Sequence, residues 1–137
     1  MIARGSADEE IVRRHIALWQ GMIVHWSTEA DSYRQAARGS TPVGRHTIED
    51  ADLTLLDIRH ALETCDGLTD RLAPGHDLRP DLMRVGVALA ALAESVAFSI
   101  DRLLPRVAQS MEIAGLRYLV SALKRDTAGA SAAGESA

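Results

Sequence analysis

Val12, Ile16, Trp19, Ile23, Trp26, Ala30, Tyr33 and Ala37 follow one another at spacings that alternate between four and three residues. This register is the apolar seam of an amphipathic helix held for about eight turns, and no strand pattern can produce it. Ser6 with Glu9 three residues on forms a capping box, in which side chain and backbone satisfy each other's free groups at a helix start. The first helix is therefore expected at 7–38. Gly39, Pro42 and Gly44 in "GSTPVGRH" end it.

The same period recurs downstream. Thr47 as N-cap with Asp50 in the first turn predicts a helix over 48–72, with the seam Ile48, Ala51, Leu55, Ile58, Leu62 and Cys65, antiparallel to the first. Pro74, Gly75 and Pro80 break the chain before a third helix at 80–104, whose seam is Leu82, Val85, Leu89, Leu92, Val96, Ile100 and Leu103. Pro105 either kinks that helix or starts a fourth at 106–125. The 137 residues are the size of one domain. The expectation is all-α: a bundle of about four helices within a single domain over 1–126, and a disordered tail over 127–137, "TAGASAAGESA", which has no large apolar residue to bury.

The third helix carries a second apolar face. Met83, Val87, Ala90, Ala91 and Phe98 fall on the arc opposite its seam, with only Glu94 among them. A helix at the surface of an isolated bundle turns one face to water, so this one is either wrapped completely or covered by another chain. We expect a partner or a second copy against Met83, Val87, Ala91 and Phe98, and a smaller contact at Leu53 and Leu56, which lie with His60 opposite the seam of the second helix.

Charge and cysteine usage narrow the function. Fifteen Lys and Arg against nineteen Asp and Glu give a net charge of −4, which argues against a protein that coats nucleic acid or anionic lipid with its whole surface. Single Cys65, among apolar helical positions, reads as a small core residue of a cytoplasmic protein. The amino end lacks the layout of a signal peptide, and the most apolar run, between Arg84 and Asp101, includes Glu94 and falls short of the ~20 residues that span a bilayer, so no membrane partner is expected.

Of the five histidines, His25 with Glu29 and Asp57 with His60 have the one-turn spacing of bundle metal ligands, and a hairpin folded about residues 42–43 brings His25 and His60 level. Yet His25 sits at the margin of its seam, His60 points away from its own, and the fourth helix lacks a Glu-x-x-His pair. His15 lies in the apolar arc and reads as a hydrogen-bonded core histidine. Arg71 and His76 have the Arg-x4-His spacing of some helical ribonucleases, with Pro74 and Gly75 between them. No phosphate loop, catalytic triad context or paired cysteines appear. We expect no metal, no cofactor and no catalytic residues.

Charge is segregated along the chain. The second helix carries Glu49, Asp50, Asp52, Asp57, Glu63, Asp66 and Asp70, whereas the fourth carries Arg106, Arg117, Lys124 and Arg125 against Glu112. Arg106, Arg117 and Lys124 share one face, which Arg102 joins if Pro105 only kinks the helix, and Arg34, Arg38 and Arg45 cluster about the first loop. Such faces follow a phosphate backbone by charge without reading bases; the same cations also suit a helix C-terminus unaided.

In size and helix layout over 7–125, with spare apolar faces and arginine-bearing helices, the chain resembles the small helical subunit of CRISPR effector complexes. The resemblance implies a non-catalytic subunit of a nucleoprotein assembly that bridges neighbours and holds RNA or DNA backbone through Arg102, Arg106, Arg117 and Lys124. Two other classes stay open: a protein–protein or regulatory module that forms a homo-oligomer, and a metal-dependent bundle enzyme.

Overall fold

The computed structural model describes residues 1–40 and 42–135, with side chains described as far as Asp126. It holds three helices, α1 (Ala7–Arg38), α2 (Arg45–Arg71) and α3 (Arg79–Glu135), and no strand among the described residues. Helix α1 has the expected bounds. Ser6 caps it by accepting from the Glu9 N–H at 3.2 Å. The return bond of the capping box goes one residue further back, to the Gly5 N–H at 3.1 Å, because the Glu9 carboxylate also serves Arg13 and His76.

Two expectations are corrected. Helix α2 starts at Arg45 rather than 48, with Gly44 instead of Thr47 at the N-cap and no side-chain cap. Val43 is buried just ahead, so core contact sets the entry of this helix where the local capping pattern would begin it later. The third and fourth helices are one: Pro105 lies inside α3. A proline removes one intrahelical hydrogen bond to the residue four back, here Asp101, and strong helix formers flank it on both sides. The tail expected over 127–137 lies beyond the described side chains.

The core follows the seams. Val12, Ile16, Trp19, Trp26, Ala30 and Tyr33 of α1 and Ala51, Leu55, Ile58 and Cys65 of α2 are buried, as are Leu82, Val85, Leu89, Val96, Ile100, Leu103 and Val107 of α3. Helix α3 packs against both others, which touch each other far less. It is therefore the spine of the bundle, and α1 and α2 lie side by side on one flank of it.

That arrangement leaves an open groove of about 420 Å³ between α1 and α2, lined by His15, Leu18, Trp19, Met22, Trp26, Asp57, His60, Ala61 and Thr64. His15 is half-buried at its edge rather than in the core, bonded to the Ile11 carbonyl at 2.9 Å and tilted against Trp19 with ring centroids 5.0 Å apart. It sits at the surface because no fourth helix folds back over this side.

The amino-terminal segment and the α2–α3 loop are tied together. Ile2 is buried, and its N–H donates to the Arg71 carbonyl at 2.9 Å. Arg79 donates to the carbonyls of Thr69 and Leu72 at 3.3 and 3.0 Å, satisfying groups that the end of α2 leaves free.

Beneath that tie, His76 and Glu9 form a buried pair, Nε2 to Oε2 at 3.0 Å. The Leu78 N–H donates to Nδ1 at 3.1 Å, which fits the tautomer whose proton sits on Nε2, facing the carboxylate. The Arg13 hydrogen bond, ahead of those from Gly5 and His76, holds the Glu9 carboxyl below its usual range against the opposing effect of burial. Arg71 points elsewhere, 4.0 Å from Asp8, so the Arg-x4-His spacing assembles no joint site.

Candidate functional site

Past Val107 no described side chain is buried, and α3 continues alone. We call residues 1–107 the head and 108–126 the arm. The arm is apolar nonetheless. Met111, Ile113, Leu116, Tyr118, Leu119, Val120 and Leu123 are all exposed, Leu116 at 62% and Val120 at 50%. Ile113, Leu116 and Val120 with Arg117 and Ser121 bound a shallow open concavity on its side.

The outward face of the head half of α3 continues this surface. Met83, Val87, Ala91 and Phe98 are exposed, as is Glu94 between them. At about 100° per residue, both the head stripe and the Ile113, Leu116, Val120 stripe lie roughly opposite the buried seam, so they run down one side of a single helix. Leu53 and Leu56 are exposed on α2. All six residues expected at a partner interface are thus solvent-accessible, four of them on the side of α3 that the arm prolongs.

Within α3 an 18-residue window reaches a mean hydropathy of 1.6, of which 22% is buried, which by length and composition alone matches a membrane-crossing segment. One face of its head half is committed to α1 and α2, and Arg84, Glu94, Asp101 and Arg102 on the exposed side would have to enter lipid with it.

The basic residues divide into three settings. Arg106, at the end of the head half of α3, donates to the Ala36 carbonyl, satisfying a group at the end of α1. Arg117 and Lys124 are exposed on the arm, and Arg45 is exposed at the start of α2. Arg34, Arg38 and Arg102 come together around a notch of about 100 Å³ between α1 and α3, with Ala37, Ser95, Phe98 and Ser99.

In that notch the Arg102 guanidinium stacks over the Phe98 ring, 4.8 Å from its centroid. Arg34 donates to Ser95 Oγ at 3.2 Å and pairs with Asp31 at 3.0 Å. The sequence placed Arg34 and Arg38 with the first loop and Arg102 with the basic stripe. It held no sign that Phe98, assigned to a partner, would floor the site where these arginines meet.

His25 and Glu29 are also brought together, Nε2 to Oε1 at 2.9 Å, but in a structural relay. Thr54 of α2 donates to Glu29 Oε2 at 2.7 Å, so Tyr33, 2.9 Å from Thr54 Oγ1, is the donor of the remaining bond. Burial pushes the Tyr33 phenol above its usual range and keeps that proton in place. The chain ties α1 to α2. His60 takes no part in it and lies exposed along the groove. Among the described residues no three His, Cys, Asp or Glu side chains are grouped to hold a metal ion.

No family model, curated protein or solved structure matches the chain.

Proposed function

We propose that the protein is a non-catalytic helical assembly subunit, in which the head is a rigid body and the outer face of α3 with its arm is the joining element. The observation that carries this reading is the arm itself: a helix that leaves its bundle after Val107 with large apolar side chains in water on every described turn. A single solvated helix of this length is marginal by itself, and apolar surface of this extent is stabilised by being covered. The test compares the native particle purified from cells carrying the full chain with that from a Leu116→Lys variant. A particle that shrinks while the purified variant keeps its melting point supports the reading; one of unchanged mass sinks it.

A second reading is favoured by the arginine notch: a subunit of a nucleoprotein assembly that holds phosphate backbone, as the likeness to small CRISPR subunits implies. Arg34, Arg38 and Arg102 converge there from two helices beside Ser95 and Ser99, a donor set suited to phosphate oxygens. Anisotropy titration of a labelled single-stranded oligonucleotide across a salt series tests it. Arg34→Glu with Arg38→Glu is expected to weaken binding at least tenfold and to lower the salt slope by about two. No binding by the unmodified protein at low salt rejects it.

A further inference from the structure

We infer that the arm of α3 pairs with the arm of a second copy as a parallel two-stranded coiled coil, an inference that rests on the assembly reading above. Ile113, Leu116, Val120 and Leu123 repeat at three, four and three residues, the a and d positions of two heptads. Both a positions are β-branched and both d positions are leucine, the combination that favours two parallel strands.

The flanking charges agree on direction. Glu112 falls at g and Arg117 at the following e, the pair that meets across a parallel dimer, and symmetry makes the contact twice. Within one helix, residues five apart do not face each other, and neither side chain has an ion-pair partner among the described residues. An antiparallel pairing would instead set e against e, bringing Arg117 and Lys124 of the two copies near each other, cation to cation. At g, Leu119 widens the apolar contact, and the stem of Lys124 from the other copy can lie over it.

The heads permit the arrangement. The arm stripe lies about 150° around α3 from the seam that holds α1 and α2, so the rest of each head sits on the far side of its own spine. Two heptads make a weak zipper. Continued into the head, the same register places exposed Phe98 at g, beside the contact, and Val87 and Met83 at c and f, outside it.

Sedimentation velocity on the full chain is expected to show dimer at about 100 μM and monomer at about 1 μM, as an affinity in the micromolar range requires. Leu116→Lys should be monomeric throughout with the head's melting point unchanged. Glu112→Lys and Arg117→Glu should each weaken the dimer about tenfold, and the double exchange should restore it, which only the parallel pairing explains. Leu116→Cys supplies an accessible thiol, since Cys65 is fully buried, and mild oxidation should join two chains through it.

A monomer at 100 μM overturns the inference, as does a dimer that survives Leu116→Lys. A dimer of the Leu116→Cys variant that resists oxidative cross-linking but alters tryptophan emission also overturns it, placing the arm in the partner's α1–α2 groove instead. If the purified chain is monomeric yet Leu116→Lys still shrinks the particle from cells, self-pairing fails while the assembly reading stands. If the particle is unaffected, both fail.

Discussion

Helix α3 is one helix with two lives. Over residues 79–107 it gives one face to α1 and α2, and Leu82, Leu89, Val96 and Leu103 on that face are fully buried. Over 108–126 it is less apolar on average but still carries Met111, Ile113, Leu116, Tyr118, Leu119, Val120 and Leu123, yet every described side chain except Ala122 and Ser110 is exposed. The difference lies in what is opposite. Burial is a property of the pairing of surfaces, and the α1–α2 hairpin stops where the arm begins, so large apolar side chains form a core in one half and an unfilled interface in the other.

The contrast can be broken most directly by truncating leucines. Leu103→Ala should cost about 2–5 kcal/mol in urea unfolding, because it opens a cavity at a site with no exposed surface. Leu116→Ala in the monomeric state should stay within about 0.5 kcal/mol of the parent. Similar losses at both sites would mean the arm is packed on the head in solution.

Next in size, His76→Ala should destabilise the head by about 2 kcal/mol, since it strands the buried Leu78 N–H and leaves Glu9 Oε2 with the Gly5 N–H as its remaining donor. Acid should act on the same region. The carboxyl of Glu9 titrates below its unfolded range, chiefly because of Arg13, so its contribution is complete above the unfolded value of ~4.3 and is lost as pH falls through the lowered folded value. Thermal melting against pH should therefore decline more steeply below about pH 4 in the parent than in Glu9→Gln.

Thiol reactivity should also differ between head and arm. Cys65 is buried, its thiol pushed up by burial and donating to the Leu82 carbonyl at 3.3 Å, so it should react with Ellman's reagent only as fast as the head opens. A thiol introduced as Leu119→Cys should react within mixing time. Smallest are two glycine replacements. A Cβ at Gly115 meets nothing within 4 Å, and Gly115→Ala should raise arm helicity by about 0.5–1 kcal/mol, read as slower amide exchange there with no change in the head's midpoint. At Gly86 the added carbon would sit 3.7 Å from Cys65 Sγ, an ordinary contact, so Gly86→Ala should shift the head's midpoint upward by a similar or smaller amount.

The seams of all three helices were readable in the sequence because each rests on the helical period, which tertiary packing enforces rather than alters. So was the unpartnered face at Met83, Val87 and Phe98, since an apolar arc opposite a seam has no place in a simple bundle. Pro105 was not resolved by local rules. Its cost is weighed against the helix on both sides, and Val107, one turn beyond Leu103, adds a core contact that a break at 105 would disturb.

Contacts between distant residues were invisible for a different reason. Arg106 to Ala36 spans 70 residues and His76 to Glu9 spans 67, and neither leaves a periodic trace. The basic stripe was legible as a pattern, but which of its members is occupied inside the protein depended on where α1 ends. The notch of Arg34, Arg38 and Arg102 needed the crossing of α1 and α3, which no spacing encodes.

The bond from Arg106 to the end of α1 lies one residue beyond Pro105, at the place where a helix with a missing hydrogen bond bends most easily. From there to Asp126 the arm is about 30 Å long, so a bend of about 10° at the proline carries its tip through about 5 Å. The protein is in this sense a boom with a stay: the head is the mast, the proline the gooseneck, and one guanidinium sets where the far end points.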